Sequence, residues 1–395
     1  MFCKFIKYLM ADKMSFMEGD MRKFSFVIPS YNSRTMLRYS LEALNNQSGY
    51  GSEDYEVIVV DDGSQDDTWD YIKGVNRNYE LKYIYLEREA CSSRGRARNF
   101  GWKAAQGENI VFIDADIIVK PGHLSELDRF YTYQRNVVVL GTRLMLPKGA
   151  FIDFSNLFQI YDFNRKKLTL IDITYFVYNS LSYNISLVRT PGILFSTCNS
   201  AVPKEYLEKI NGFDENYVGW GIEDMDLGCR LHNLDNLQFA VSSRLEVLHQ
   251  FHKHGPNLDE EVKRNKAIFE SKLPYGTKNV PMRMELEIWD VLGMPNDIYL
   301  ERFAGIKPGK KNKAVLEFRD REKLDQLKDN IIKLSEQESL DIEVHDYCEN
   351  TDLDIWIQFL GCRNSIPQYF PQSRKISKLS PEERSKYCLS RNELW

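Results

Sequence analysis

Short apolar runs recur through the first 114 residues of the chain, and a polar segment follows each of them. The runs read FSFVIP, YEVIVV, LKYIYL and NIVFID, and they begin at Phe24, Tyr55, Leu81 and Asn109. They do not alternate apolar and polar residues, which is typical of parallel strands covered on both faces. The segment after the first run spaces Leu37, Leu41 and Leu44 for one face of a helix. Strands alternating with helices predict the α/β class, with a mostly parallel central sheet flanked by helices.

Two later parts of the chain have a different texture. Residues 141–200 lose the alternation and are rich in Phe, Tyr, Asn and Leu, which predicts irregular helices and loops beside the sheet. Further on, KAVLEF, DREKLDQLKDNIIKL, DIEVHDY and LDIWIQFLG predict a small α+β appendage of βαββ order. We therefore predict an N-terminal extension at 1–22, a main α/β domain at 23–280 and a C-terminal accessory region at 281–395.

The composition is that of an ordinary globular protein. The chain has 395 residues, 43% hydrophobic and 28% charged, with a formal net charge of −5, so nothing in it points to nucleic acid. Seven scattered cysteines without a CxxC pair predict a reducing, cytoplasmic location.

Membrane signals are weak. No stretch approaches the ~18 apolar residues needed to span a bilayer. The basic and apolar start MFCKFIKYLM predicts either a disordered segment or a weak membrane-surface association. Nothing in the sequence indicates an oligomeric state.

Polar residues follow three of the four predicted strands. Ser30-Tyr31-Asn32 follow the first, Asp61-Asp62 the second and Asp114-Ala115-Asp116 the fourth. Because ligands of parallel sheets bind at the carboxyl ends of the strands, we expect these segments to converge on one rim.

The DAD segment is a candidate metal site. Asp114 and Asp116, one residue apart, can hold a divalent cation that bridges a diphosphate. The alternative is a solvated turn at a strand end. Farther along, HQFHKH places His249, His252 and His254 close together, and an imidazole beside a carboxylate would favour Mn²⁺ over Mg²⁺.

Three arginines crowd the start of a predicted helix. Arg94, Arg96 and Arg98 oppose the helix dipole there, which a bound phosphate would explain. The alternative is a solvated basic turn with ion pairs to Glu87 or Glu89.

The segment VVDDGSQDD combines two possible roles. Asp61 or Asp62 could accept a hydrogen bond from a uracil N–H or a ribose hydroxyl. Ser64 and Asp66 are expected to cap the helix that follows, with Ser64 and Asp67 in capping-box spacing.

The segment GWGIED carries a further candidate. Trp220 lies between the flexible Gly219 and Gly221 and could cover a sugar ring. Glu223 and Asp224 begin a predicted helix, where a carboxylate is firmly placed to act as a general base. The helix dipole is expected to lower its pKa. The alternative is that these acids only cap the helix.

The order of these motifs resembles the family 2 glycosyltransferases of GT-A fold. The stretch GFDENYVGWGIEDMDLGCRL is similar to the C-terminal half of the β-1,4-galactosyltransferase and chondroitin-polymerase type of catalytic domain. The resemblance covers the first 270 residues. It implies a metal-dependent, inverting transfer of a sugar from a UDP-sugar to an acceptor hydroxyl.

The resemblance also implies a set of site residues. Donor contacts would be Pro29, Tyr31, Asp61 or Asp62, Arg94, Arg98, Asp114, Ala115 and Trp220. Asp116 and His249 would bind Mn²⁺ or Mg²⁺, with Asp114 and His252 as less favoured ligands. Asp224 would be the catalytic base, and Glu223 would contact a sugar.

A single DxD and a single GWGxED predict addition of one residue per event rather than polymerisation. The acceptor would be a glycan, a small molecule or a peptide, with residues 141–200 as an acceptor platform and the accessory region 281–395 as a further candidate for acceptor binding.

Three other classes of protein fit the sequence less well. A nucleotidyltransferase would need a Gly-rich phosphate loop, and PSYNSRT is not one. An inactive nucleotide-sugar-binding module would be expected to lack the DxD, the ED pair or the histidine. No GxGxxG follows the first strand, which disfavours a dinucleotide-dependent oxidoreductase.

Overall fold

The fold was analysed on a computed structural model of the chain. The residues that the structure describes are 7–10, 22–74, 76–160, 170–171, 174, 177–178, 181, 183–188, 190–252, 257–272, 312–337, 340–349, 352–360, 365 and 367–371.

Strands and helices alternate through the described residues. The strands are β1 Lys7–Met10, β2 Phe24–Ser30, β3 Tyr55–Asp61, β4 Glu80–Tyr85, β5 Asn109–Phe112, β6 Ile117–Ile118, β7 Val137–Met145, β8 Leu170–Ile171, β9 Ser200–Pro203, β10 Gln238–His249, β11 Asn312–Phe318, β12 Leu340–Asp346 and β13 Pro367–Pro371. The helices are α1 Arg34–Asn45, α2 Thr68–Ile72, α3 Arg94–Ala104, α4 His123–Tyr133, α5 Leu157–Ile160, α6 Lys204–Ile210, α7 Glu223–His232, α8 Leu258–Lys272, α9 Leu324–Ser335 and α10 Leu353–Gln358.

Strands β1 to β10 form one mixed sheet. Its order is β1-β4-β3-β2-β5-β9-β7-β10-β6, with β8 paired to β7. The longest pairings, β2 with β3, β3 with β4 and β7 with β10, are parallel, whereas the shorter pairings of β9, β6 and β8 are antiparallel. The predicted α/β class with a mostly parallel central sheet is confirmed.

Helices cover both faces of this sheet. Leu37, Leu41 and Leu44 of α1 are buried in the core of one face, as their spacing predicts. Trp102 of α3 and Leu227 of α7 belong to the core of the opposite face. The strands are therefore buried on both sides, which explains their continuous apolar runs. Among the described residues, no helix is both long and apolar enough to cross a membrane.

The predicted capping of the second helix is wrong. Helix α2 begins only at Thr68, and Asp67 makes no side-chain capping hydrogen bond. Instead, the Ser64 hydroxyl accepts the Asn32 N–H (2.8 Å), and Asp66 accepts the N–H of Arg34 (3.0 Å), the first residue of α1. These side chains stabilise the turn after the neighbouring strand, which a pattern local to one segment does not reveal.

The predicted N-terminal extension at 1–22 also needs a correction. Strand β1 pairs antiparallel with β4, with Lys7 opposite Tyr85. Residues 7–10 therefore extend the main sheet at its edge.

The accessory region folds around a separate parallel sheet, β11-β12-β13, with α9 and α10 packed on it. The predicted βαββ order is wrong, because Leu353–Gln358 is a helix and the third strand is Pro367–Pro371. Leu353 and Ile357 pack in the core of the accessory region, whereas Ile355 joins the core of the main domain. A helix buried on two sides has the same continuous apolar run as a buried strand.

Polar contacts dock the accessory region on the main domain. Arg129 of α4 donates to Asp354 of α10 (2.9 Å to each oxygen) and to Glu126 (2.7 Å). The Gln358 side chain pairs with the backbone N–H and C=O of Val241 (2.9 and 3.0 Å). Val241 lies toward the amino end of β10, away from His249 at its carboxyl end. The predicted domain boundary at 280/281 lies outside the described residues.

We expect Arg129→Met to destabilise the protein by about 3 kcal/mol, because Glu126 and Asp354 would become buried carboxylates without their shared cation. Lys209→Met is the control, since Lys209 and Glu205 are both about half exposed and such a pair is worth about 0–1 kcal/mol. Urea denaturation followed by circular dichroism measures both. Equal destabilisation by the two substitutions would contradict this prediction.

Candidate active site

The polar segments after β2, β3 and β5 meet at one edge of the sheet, as the parallel pairing requires. The N–H of Asp62 donates to the carbonyl of Ser30 (2.9 Å), and the hydroxyl of Ser40 in α1 donates to the carbonyl of Ala115 (2.8 Å). Pro29 lies within β2 at the same edge. The structure therefore brings the predicted segments together.

A cluster of possible metal ligands lies at this edge. The antiparallel pairing of β6 with β10 places His249 opposite Ile117, next to Asp116. The His252 Nε2 atom lies 3.0 Å from Asp116 Oδ2, and His249 Nε2 lies 3.6 Å from Asp116 Oδ1. One ligand atom from each of the three residues falls within 4.8 Å of the others. Both histidines thus reach Asp116, whereas Asp114 is not part of this cluster.

The chemistry of the cluster fits a divalent transition metal. Within the described part of the chain, Asp116 Oδ1 and His249 Nδ1 are buried without a hydrogen-bond partner. Burial opposes the charge of Asp116, but His249 and His252 hold its pKa below the usual range, and burial lowers the pKa of His249. An ionised carboxylate and a neutral imidazole are the forms that bind metals, and nitrogen ligands favour Mn²⁺ over Mg²⁺.

Arg98 of α3 connects the two acidic motifs. Its side chain is 1% exposed, and it donates to Asp114 Oδ1 (2.7 Å) and to Glu223 Oε1 (3.0 Å). This placement differs from the predicted contact with the nucleotide, because the guanidinium is enclosed between two carboxylates. The placement of Glu223 also differs from its predicted contact with a sugar, because Glu223 is buried against Arg98.

Asp224 is the carboxylate best suited to accept a proton. It follows Glu223 at the start of α7, is half-buried, and accepts the N–H of Met225 (2.9 Å). Burial and the charge of Glu223 raise the pKa of Asp224 to about 7, against the opposing effect of Arg98. The predicted lowering by the helix dipole is wrong, because desolvation and a like charge outweigh the field of the helix end.

The segment before α7 has an unusual backbone. Gly219, Gly221 and Ile222 have φ values of 81°, 89° and 75°. A β-branched residue such as Ile222 rarely adopts this region, at a cost of about 1–3 kcal/mol. Trp220, the predicted cover of the sugar, is half-buried within this loop.

A second group of residues forms a wall near the end of β3. The buried Asp62 accepts hydrogen bonds from Ser92 (2.9 Å), Arg96 (3.3 Å) and Arg88 (2.5 Å). The guanidinium of Arg88 stacks 3.9 Å above the ring of Tyr31, which is 45% exposed. This wall combines an aromatic face, a cation and a carboxylate, a combination that suits a nucleobase.

Arg88 was missed from the sequence. It follows β4, whose carboxyl end lies at the same edge as those of β2 and β3. The rule that directed attention to the other strand ends could have identified it.

The remaining predicted donor contacts have different environments. Asp61 is 1% exposed, and its oxygens accept the Ser64 N–H (2.7 Å) and the Tyr83 hydroxyl, so it serves the fold. Arg94 is exposed at the first turn of α3, and its charge contributes to the low pKa of Asp116. Arg96 and Arg98 form their ion pairs with other carboxylates than Glu87 and Glu89, which the alternative interpretation had named.

A mostly parallel sheet with polar and acidic side chains gathered at the carboxyl ends of its strands is typical of α/β enzymes. Residues 25–189 match the family model described as glycosyl transferase family 2, and residues 187–253 match the model described as N-terminal domain of galactosyltransferase. Residues 25–253 are thus similar to a family 2 glycosyltransferase domain followed directly by a galactosyltransferase-type segment. This match agrees with the predicted GT-A type, and the observed sheet and helices confirm the predicted α/β class.

Individual relatives are similar over part of their length. Validoxylamine A glucosyltransferase of Streptomyces hygroscopicus is 28% identical over 216 residues, which are 53% of this chain and 51% of that protein. Chondroitin synthase of Escherichia coli is 26% identical over 270 residues, 64% of this chain and 38% of the relative. The chain thus spans about half or less of the length of these two relatives. The solved structure of Staphylococcus aureus TarS 1–349 has a TM-score of 0.46 and 20% identity, covering 67% of this chain and 71% of that chain.

We expect Asp116→Asn to weaken Mn²⁺ binding by at least about tenfold, since even residues that only support metal ligands are worth about 10–100-fold. His249→Gln and His252→Gln should each weaken it as well, because both imidazoles reach Asp116. Titration of Mn²⁺ followed by electron paramagnetic resonance measures the affinity.

The control is His345→Gln, since this histidine lies in the accessory region and contacts Glu343. Wild-type affinity in Asp116→Asn would exclude the cluster as the metal site. Wild-type affinity in one histidine variant would remove that histidine from the ligand set.

Proposed function

We propose that the chain is a metal-dependent, inverting glycosyltransferase that moves a sugar from a UDP-sugar to an acceptor hydroxyl. One observation supports this proposal. The cluster of Asp116, His249 and His252 lies at the same edge of the sheet as Asp224, whose pKa is raised. Both belong to a part of the chain that is similar to glycosyltransferase family 2 and to the galactosyltransferase-type segment after it.

The donor would bind along the edge between the nucleobase wall and the metal cluster. Tyr31 offers an aromatic face for the uracil ring, and Asp62 offers acceptor oxygens for its N–H or for a ribose hydroxyl. When the base stacks on the Tyr31 ring, the Arg88 guanidinium would leave the face of this ring and lie beside the base. The exposed Arg94 is well placed for a phosphate group.

The leaving group needs charge stabilisation. Asp116 with His249 and His252 would hold Mn²⁺ or Mg²⁺, and the bound cation would neutralise charge on the departing nucleoside diphosphate. Arg98 offsets part of the negative charge of Asp114 and Glu223, which reduces the repulsion between this edge and the diphosphate.

Asp224 would take the proton of the acceptor hydroxyl as this oxygen attacks the anomeric carbon. The bond from that carbon to the diphosphate oxygen breaks in the same step, which inverts the configuration. A carboxylate with a pKa near 7 is a stronger base than an ordinary aspartate, and about half of it is ionised at neutral pH.

The acceptor would be a glycan, a small molecule or a peptide, receiving one sugar per event. A small cavity is lined by Arg143, Ser196, Cys198 and Asn199, and the charges of Asp114 and Asp116 act on Cys198 in its wall. This cavity is a candidate for part of the sugar or acceptor site. The accessory region docks toward the amino end of β10, so any part it has in acceptor binding would be recruitment at a distance from the reacting hydroxyl.

Release of UDP from a panel of UDP-sugars, with and without Mn²⁺, tests the class. We expect slow metal-dependent hydrolysis of one UDP-sugar, because water can replace an absent acceptor at the anomeric carbon. A lack of release from every donor, together with a lack of UDP binding by calorimetry, would contradict the proposal. Binding without release would favour the inactive-module alternative.

Asp224→Asn should bind UDP and Mn²⁺ like the wild type but lose transfer, because an amide cannot accept the proton. The wild-type rate should fall as pH drops through about 7, since protonation of a group with this raised pKa removes the base. The pH–rate profile of UDP release measures both effects.

Asp235→Asn is the matched control, because this aspartate is exposed beyond the end of α7. Transfer by Asp224→Asn at the rate of the control would show that another residue is the base.

A further inference from the structure

The loop that carries Trp220 needs support from outside its own sequence. Gly219, Gly221 and Ile222 all lie in the left-handed region of backbone conformation. Glycine tolerates this region, but Ile222 does not, so neighbouring groups must hold the loop in place. The structure shows which groups these are.

Asn265 of α8 is the first of them. It is 0% exposed, and its side-chain amide donates to the carbonyls of Val218 (3.2 Å), Trp220 (3.1 Å) and Gly221 (3.0 Å). A single buried amide thus contacts three of four consecutive residues. Because a buried amide without acceptors is unfavourable, these contacts select one conformation of the loop.

Glu261, one turn earlier on α8, is the second. Its Oε2 atom accepts the backbone N–H of Trp220 (2.9 Å). A Cβ atom at Gly219 would lie 2.5 Å from Glu261 Cδ and would displace this side chain, and the φ of 81° also favours glycine there. The loop and the helix therefore fit each other closely on both sides of Trp220.

Helix α8 also holds α7 at its other end. Lys272 contacts Asp226 Oδ1 (2.9 Å) and the hydroxyl of Tyr217 (3.2 Å). Asp226 makes the first helical hydrogen bond of α7, from its N–H to the Ile222 carbonyl (2.9 Å). Asp224 lies between these two attachment points, so the position of this carboxylate depends on α8.

This helix follows the residues that the two family models match. The second match ends at residue 253, and α8 begins at Leu258.

We propose that α8 is a positioning element of the active site, in which Asn265 and Glu261 set the Gly219–Trp220–Gly221 loop and thereby the start of α7 with its base, Asp224. Neither side chain touches the reacting groups. Both act through the loop, so their loss impairs the transfer step more than the binding of nucleotide or metal. The inference rests on the proposed transferase function.

Four single variants test this role. Glu261→Ala removes the acceptor for the Trp220 N–H at a half-exposed position, and Glu261→Gln keeps an acceptor oxygen of the same reach. Asn265→Leu keeps the volume but removes the three donated hydrogen bonds. Lys263→Ala is the control, an exposed residue on the same helix.

Each variant is assayed for turnover with the UDP-sugar that the wild type hydrolyses, and for UDP affinity in the presence of Mn²⁺ by calorimetry. We expect kcat to fall about tenfold or more in Glu261→Ala and in Asn265→Leu, as for the loss of hydrogen bonds that involve charged or buried groups. UDP affinity should stay within about twofold of wild type, because the nucleobase wall and the metal cluster are unchanged. Glu261→Gln should retain most of the wild-type kcat.

Three outcomes would overturn the proposal. Glu261→Ala could turn over like Lys263→Ala. Glu261→Gln could be as impaired as Glu261→Ala. Alternatively, UDP affinity could fall in parallel with kcat, which would indicate a general loss of structure. Asn265→Leu requires a melting curve, and if it unfolds, the pair of Glu261 variants decides.

Failure of the proposed function has a different signature. The wild type itself would then release no UDP from any donor. A wild type that is active, with variants that behave like the control, leaves the function standing and removes only the role of α8.

Discussion

The buried guanidinium of Arg98 is the interaction on which the geometry of the site depends. It holds Asp114, which follows β5, against Glu223, which begins α7. Asp114 and Glu223 lie far apart in the sequence, so Arg98 fixes the distance between the DAD segment and the start of α7. Loss of the guanidinium would leave both carboxylates without their shared cation, which is strongly unfavourable for buried charges. The interaction therefore selects one arrangement of the two segments.

Different surroundings give two neighbouring carboxylates, Asp116 and Asp224, different pKa values. Asp116 faces two imidazoles, and its pKa lies below the usual range. Asp224 faces Glu223 and a dry environment, and its pKa rises to about 7. These pKa values suit the proposed roles, in which Asp116 stays ionised beside a metal and Asp224 exchanges a proton near neutral pH. Groups of one chemical type differ in pKa because burial and neighbouring charges differ between their positions.

Support for the site comes from segments beyond the parallel strands that carry the first motifs. Strand β10 supplies His249 because it pairs with β6, which follows Asp116 directly. Helix α8 supplies the contacts of Asn265 and Glu261 to the Trp220 loop. The accessory region docks elsewhere, through Arg129. Within the described residues, the side chains of the candidate site therefore all come from the main domain.

The sequence by itself determined the strands, their alternation with helices and the edge where the site lies, because buried parallel strands have continuous apolar runs and ligands bind at their carboxyl ends. It also indicated Asp116, His249 and Asp224 as candidate site residues, since the order of the motifs can be read directly from the linear sequence. Only the tertiary structure placed Arg98 between carboxylates, made Asp61 a partner of Tyr83 and turned Leu353–Gln358 into a helix. These features depend on which residues of distant segments meet, and on the resulting burial, which no local pattern contains.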